Sequence, residues 1–236
     1  MRYQFVDCRW KLGDPGAGRA LYLEGHIPGA GFLDVDADLS EPPGEGGRHP
    51  LPAPDTFAAA ASRAGIGAGV FVVAYGTTGG AERLWWLLRH FGHEDCAVID
   101  LDGWRGPLRS DDEEIEPAEF VPRPRDDDTI EADELAARLD DPELLILDAR
   151  TPERFRGEDN PIDRVPGRIP GARNAPFTGP LPEGVLDAKE IAVYCGSGVT
   201  ACVDLLALAQ AGRPDAKLYP GSWSEWEQLG LPVDRG

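Results

Sequence analysis

The sequence is poor in cysteine, short of positive charge and without a long hydrophobic run. Only four cysteines occur in 236 residues, Cys8, Cys96, Cys195 and Cys202. None forms a C-x-x-C pair, and no Cys/His cluster has zinc-ligand spacing, so no metal site is expected. A disulfide scaffold is not expected in a chain this long without a secretory leader, and free thiols in a reducing compartment are the default. The opening residues MRYQFVDCRW lack the apolar core of a signal peptide, and no stretch approaches the roughly 18 apolar residues of a membrane span. A cytoplasmic protein with no membrane partner is therefore expected. Lys and Arg number 23 against 42 Asp and Glu, a net charge of −19. Nucleic acid and anionic membranes would be repelled by that surface. An anionic substrate, by the same argument, needs local positive groups to hold it.

What the chain does have is an internal repeat. FVDCRW (Phe5 to Trp10) resembles ILDART (Ile146 to Thr151), both apolar runs ending in Asp-x-Arg. GHIPGA (Gly25 to Ala30) matches GRIPGA (Gly167 to Ala172) at five of six positions. FVVAYGTTGGA (Phe71 to Ala81) then aligns with EIAVYCGSGVTA (Glu190 to Ala201), and each half closes on a tryptophan-bearing turn, DGWRG or PGSWSEW. Four matches in the same order indicate a duplication. The acidic, proline-bearing stretch between the halves reads as an exposed linker over 110–128, which leaves domains at 1–109 and 129–236.

Within each half, strand and helix patterns alternate. VFVVAY and EIAVYC are short, continuous apolar runs, as central parallel strands buried on both faces require. AERLWWLLRHFG and TACVDLLALAQAG have helical periodicity and stop at a glycine. TIEADELAARLD predicts another helix, opening at its threonine. The expected class is α/β, with a parallel sheet flanked by helices in each half.

Cys195 is the first residue beyond such a strand and lies just before a helix. Ligands in parallel α/β sheets sit beyond the carboxyl ends of the strands. The backbone N–H groups of Gly196, Ser197, Gly198, Val199 and Thr200 can curl into an anion-binding nest, and the helix N-terminus adds partial positive charge. Both favour the thiolate, the reactive form of cysteine. Read on its own, a Cys-Gly pair favours a buried structural cysteine, and it is the full six-residue curl that turns the reading toward a nucleophile. Asp148 and Arg150 are expected to tie the strand end to the loop through hydrogen bonds. Trp223 is expected to pack beside the loop, as core or as a wall for substrate.

The loop CGSGVTAC resembles the active-site loop of the tandem-domain rhodanese family, in the version typical of 3-mercaptopyruvate sulfurtransferases. GHIPGAGFLDVD, WWLLRHFGH, ERFRGE, GRIPGARNAPF and YPGSWSEW match the family's landmarks in order. The resemblance implies two rhodanese-like domains, the first catalytically inactive because Gly76 stands where Cys195 stands in the second, with the curl of the loop kept in both. It implies a sulfurtransferase without cofactor. Cys195 would take the outer sulfur of a small anionic donor, become a persulfide, and pass the sulfur to a thiol or to cyanide, a covalent two-step transfer. It also implies a donor-binding role for Arg154, with Arg164 standing in for a second arginine, and a role in the site for Asp36 and His49.

The loop carries no basic side chain between Gly196 and Thr200, which suits a carboxylate donor such as 3-mercaptopyruvate better than the thiosulfate dianion. Thiosulfate:cyanide sulfur transfer remains the alternative within the enzyme class. A rhodanese-fold phosphatase would need an arginine six residues after the cysteine, where Ala201 stands, to fork around phosphate. A non-catalytic rhodanese-like binding or regulatory module is the reading of another class, and the retention of Cys195 argues against it.

Overall fold

The computed structural model describes residues 2–158 and 161–235. The chain forms two compact units, one of Met1–Glu41 with Leu51–Arg125, the other of Pro42–Pro50 with Asp126–Gly236. In the first, β1 (Arg2–Cys8), β2 (Gly31–Phe32), β3 (Val70–Gly76) and β4 (Cys96–Ile99) form a parallel sheet in the order β2-β1-β3-β4. Helices α1 (Ala17–Glu24), α2 (Pro54–Arg63) and α3 (Gly80–His90) accompany it. In the second, β5 (Leu144–Asp148), β6 (Arg173–Asn174), β7 (Glu190–Tyr194) and β8 (Lys217–Leu218) repeat the order as β6-β5-β7-β8, again parallel. Its helices are α4 (Ala132–Ala137), α5 (Pro152–Phe155), α6 (Ala201–Gln210) and α7 (Ser222–Gln228).

The apolar runs become the central strands because both their faces are covered. Ile191, Ala192, Val193 and Tyr194 of β7 are all buried. The core of the second unit gathers Ile130, Leu135, Ile146, Ile169, Tyr194, Tyr219, Trp223 and Trp226. Helices α3 and α6 end alike. Gly92 and Gly212 take left-handed φ of 84° and 94°. The N–H groups after them, of His93 and Arg213, reach back to Leu88 and Leu208 carbonyls at 2.7 and 2.8 Å. This closes each helix with a left-handed glycine cap.

The Asp-x-Arg repeats perform one structural task twice. Arg9 forks onto Asp7 and donates to the Gly25 carbonyl, while the Tyr75 hydroxyl accepts from Ile27 N–H. Arg150 forks onto Asp148 and donates to the Gly167 carbonyl, while the Tyr194 hydroxyl accepts from Ile169 N–H. Each set ties the end of a central strand to the Gly-x-Ile-Pro-Gly-Ala turn. This explains why those two motifs recur together in the sequence.

Three local expectations differ from the structure. Helix α4 begins at Ala132 rather than at Thr129, because Ile130 N–H pairs with the Leu218 carbonyl at the edge of β8 and its side chain enters the core. The stretch read as a linker is grouped with the first unit as far as Arg125. It is pinned by Ala118 N–H to the Ser62 carbonyl, by buried Phe120 against Phe57, and by Arg123 N–H to the Phe91 carbonyl. The curl is not common to both halves. Four residues, Gly76 to Gly79, separate Tyr75 from α3, whereas six, Cys195 to Thr200, separate Tyr194 from α6. A Cβ on Gly76 would lie 2.8 Å from the Cys8 carbonyl oxygen and 3.0 Å from Ala81 N, so the first turn is tightened where a cysteine would stand.

Candidate active site

Cys195 leaves the carboxyl end of β7 and is 1% exposed. Its position is set from the next turn of chain. Cys195 N–H donates to Ser222 Oγ at 3.1 Å, its carbonyl accepts from Trp223 N–H at 3.0 Å, and the Gly196 carbonyl accepts from Ser224 N–H at 3.0 Å. Ser222 sits at φ 54°, a left-handed conformation uncommon for a residue with a side chain. Its hydroxyl is anchored in turn on the Tyr219 carbonyl. The PGSWSEW turn therefore fixes the backbone that carries the sulfur, through one side-chain and two backbone groups.

The loop then curls as its glycines allow, with Gly198 at φ 78°. Ser197 N–H points at Cys195 Sγ at 3.5 Å. The N–H groups of Gly196, Val199 and Thr200 have no acceptor among the described residues. One backbone donor at the sulfur, with unspent N–H groups beside it at the start of α6, makes a loop suited to holding an anion. The Thr200 side chain does not cap the helix. Cys202 is buried with its Sγ on the Gly198 carbonyl at 3.4 Å, facing the core as its spacing suggests.

Beneath the loop lies a buried set of charges. Arg150, 1% exposed, forks onto Asp148 and places its guanidinium 4.5 Å from the Trp223 ring centroid. Tyr194 donates to Asp148 Oδ2 at 2.6 Å. Burial, and next the Asp148 charge, push the Tyr194 hydroxyl far above the ordinary tyrosine range. Removing Asp148 alone would leave the buried Arg150 guanidinium with only its longer carboxylate contact, to Asp163 at 3.3 Å, and breaking a buried pair in this way typically costs about 3–5 kcal/mol. Trp223 is fully buried and donates to the Val165 carbonyl at 3.1 Å, so it is core and not a substrate wall.

Arg154, at the end of α5, holds Asp163 in a two-point fork at 2.8 and 2.5 Å. Asp163 also receives Arg150 Nη1 at 3.3 Å. Burial alone would raise the Asp163 carboxyl, but the hydrogen bond and charge of Arg154, with Arg150 and Arg48, hold it below the usual range. Arg164, one residue on, is exposed, and its backbone N–H goes to Glu227. The arginine expected to join the site therefore stays outside this cluster, and its neighbour Asp163 enters instead.

Segment 42–50 is grouped with the second unit, and it delivers two side chains to the loop. His49 is buried, with Nδ1 2.7 Å from Ser197 Oγ. Arg48 N–H donates to Ser224 Oγ at 3.0 Å, and Arg48 Nη2 to the Gly196 carbonyl at 3.2 Å. The approach is close enough to require glycine at 47, where φ is 93° and a Cβ would lie 2.6 Å from Ser224 Oγ. Asp36 belongs to the first unit, half-buried, with its N–H on Asp34 Oδ1 at 2.8 Å. Arg48, Asp163, Ser222 and Ser224 were not singled out by the sequence reading. Each lies beside a residue that was, next to His49, Arg164 and Trp223, and adjacency to those motifs is the one signal that pointed to them. Among the described residues no group of three or more His, Cys, Asp or Glu could hold a metal ion, and no helix is long and apolar enough to cross a membrane.

Comparison with known proteins places this geometry in context. The rhodanese-like domain family model matches residues 131–229. A Pseudomonas aeruginosa protein, provisionally named 3-mercaptopyruvate sulfurtransferase, is 42% identical over 250 residues, covering 94% of this chain and 88% of its own. A Mycobacterium tuberculosis protein, SseB, provisionally assigned as a thiosulfate sulfurtransferase, is 38% identical over 98% of this chain and 90% of its own. The crystal structure of SseA from Escherichia coli, a 3-mercaptopyruvate enzyme with the rhodanese fold, superposes with a TM-score of 0.78 at 35% identity, covering 94% of this chain and 93% of that one.

Proposed function

The chain belongs to the rhodanese-fold sulfurtransferases, and from that membership we propose that Cys195 carries sulfur from 3-mercaptopyruvate to a thiol or cyanide. The Cys195 thiolate attacks the donor sulfur, the carbon–sulfur bond breaks, and its electron pair leaves on the carbon that becomes the pyruvate methyl group once protonated. The acceptor then attacks the outer sulfur of the persulfide and expels the Cys195 thiolate, which restores the enzyme. The observation that carries this reading is the Ser197 N–H aimed at Cys195 Sγ within a loop whose neighbouring N–H groups are unspent. Such donors stabilise charge on the sulfur in the transition state and in the persulfide, as an oxyanion hole does for oxygen.

The buried His49–Ser197 pair adjoins the sulfur and is suited to supply the proton that the departing carbon needs. The role of Asp36 is carried by the resemblance alone. The donor is held by the guanidinium groups beside Gly196, which supply the local positive charge that a chain of net charge −19 requires. The first unit is read as catalytically inactive, because its turn at Gly76 has neither the sulfur nor the room for it.

Thiosulfate transfer is the second reading, favoured by the Mycobacterium tuberculosis relative. Steady-state kinetics with each donor and cyanide as acceptor decide between them. A higher kcat/KM for 3-mercaptopyruvate is expected, with measurable turnover of thiosulfate and none by Cys195→Ser. A far higher kcat/KM for thiosulfate would overturn the donor assignment, and undiminished turnover by Cys195→Ser would overturn the catalytic one.

A further inference from the structure

Where a second arginine is expected beside Arg154, the chain places the carboxylate of Asp163. Its side chain is 2% exposed and accepts from Arg154 Nε and Nη2 at 2.8 and 2.5 Å and from Arg150 Nη1 at 3.3 Å. It takes only the Nε side of the Arg154 guanidinium. Arg154 Nη1 has no hydrogen-bond acceptor among the described residues and lies 3.3 Å from where a Cβ on Gly196 would stand. Arg48 Nη2 is 3.0 Å from the same point. Both arginines thus turn toward the loop, and Asp163 holds one of them from its far edge. Burial works to raise the Asp163 carboxyl, but the hydrogen bond and charge of Arg154, with Arg150 and Arg48, hold it below the usual range, so it is ionised at neutral pH. Its charge reaches Arg48 as well. Burial and then the Arg154 charge hold that guanidinium below the arginine norm, and Asp163 is the leading charge in the opposite sense, ahead of Cys195 and Glu227. One buried carboxylate therefore bears on Arg48, Arg150 and Arg154 together.

We propose that Asp163 determines specificity for donor charge: its buried negative charge offsets part of the positive field of Arg48, Arg150 and Arg154, and so tunes the loop to a donor with one negative charge over a donor with two. This rests on the sulfurtransferase reading of Cys195, with the donor held by the arginines beside Gly196, and it adds the residue that sets which anion they prefer. A dianion gains twice the Coulomb energy of a monoanion from each nearby positive charge and loses twice as much to each negative one. 3-Mercaptopyruvate in its thiol form carries one charge, and thiosulfate carries two. A carboxylate beside the subsite therefore costs thiosulfate more. At 2% exposure that carboxylate is little screened by salt. Selectivity obtained from a repulsive element, and not from a new attractive contact, is a general device of specific sites. Asp163 acts through the arginines it holds, as a positioning residue.

The test measures kcat/KM for thiosulfate and for 3-mercaptopyruvate, with cyanide as acceptor, in wild type, Asp163→Asn and Asp163→Glu. Asparagine keeps the shape of the side chain and removes its charge; glutamate keeps the charge. The quantity read is the ratio of the thiosulfate to the 3-mercaptopyruvate value, relative to wild type, so it does not depend on which donor wild type prefers. A rise of roughly 10-fold is expected in Asp163→Asn, the size of one unit charge acting across a partly buried site. In Asp163→Glu the ratio is expected within about twofold of wild type. A merely structural role would lower both values together and leave the ratio in place. An unchanged or lower ratio in Asp163→Asn therefore overturns the proposal. So does an equal rise in Asp163→Glu, which would assign the effect to geometry and not to charge. Wild type gives a second reading that needs no variant to fold, through pyruvate and sulfate as competitive inhibitors. Pyruvate is expected to have the lower inhibition constant, and a sulfate constant equal to it or below it overturns the proposal. Failure of the underlying reading looks different: wild-type protein would then show no Cys195-dependent turnover with either donor.

Discussion

Asp204 shows what burial does to a single carboxyl in this fold. It lies in the first turn of α6, 3% exposed, with Oδ2 lacking any hydrogen-bond partner. Desolvation, and next the nearby Asp148 charge, push it from 3.8 to about 8. The folded chain therefore keeps a proton that the unfolded chain releases above its ordinary pKa. Stability is fully present below about pH 4, falls as pH rises, and levels off above about 8. Asp204→Asn, neutral at every pH, is expected to flatten that dependence and to be the more stable protein at about pH 8.5, by on the order of a few kcal/mol. Urea denaturation midpoints at about pH 5 and about pH 8.5 read it out. Equal pH slopes in the two proteins would contradict the account. Nothing in the sequence separates this aspartate from the exposed ones around it. Its helical position is legible, but the depth to which α6 sinks is a tertiary fact.

The elements of the second unit were legible where sequence pattern and burial coincide. β7 and α6 form close to where their apolar runs predict, because their covered faces require those residues. The short pieces that build the site were not. Segment 42–50 has no regular period, and its value lies in one contact: Gly47 brings the backbone against the start of α7. Gly47→Ala would place a methyl group 2.6 Å from Ser224 Oγ and 2.8 Å from the Gly221 carbonyl oxygen, at a φ of 93° that side chains resist. The expected result is displacement of the segment with Arg48 and His49. A fall in kcat/KM is expected, with faster amide exchange confined to 42–50 and the rest of the unit unchanged. Wild-type kinetics in Gly47→Ala would show that the segment is not held as described. The Asp163–Arg164 exchange has a similar cause. Two adjacent residues in an irregular loop point opposite ways, and the sequence carries no periodicity to say which faces inward.

The duplication is the feature that sequence and structure render most alike, down to matched Asp-Arg-Tyr ties in both copies. The divergence between the copies is concentrated at the turn that the repeat alignment equated. Only the second turn has the length to curl around a sulfur, and the remaining thiols are poorly placed to substitute. Cys8 is buried, and desolvation followed by Asp7 pushes its thiol far above the ordinary range. Desolvation pushes Cys96 up to about 12. At neutral pH both stay protonated and weakly nucleophilic. The sulfur should therefore reside on one residue of the chain. The direct measurement is peptide mass mapping after incubation with 3-mercaptopyruvate in the absence of any acceptor, then again after cyanide. One added sulfur atom on the Cys195 peptide, released as thiocyanate when cyanide is added, is predicted. An unmodified Cys195 in protein that turns over the donor, or sulfur carried instead on Cys8, Cys96 or Cys202, would contradict it.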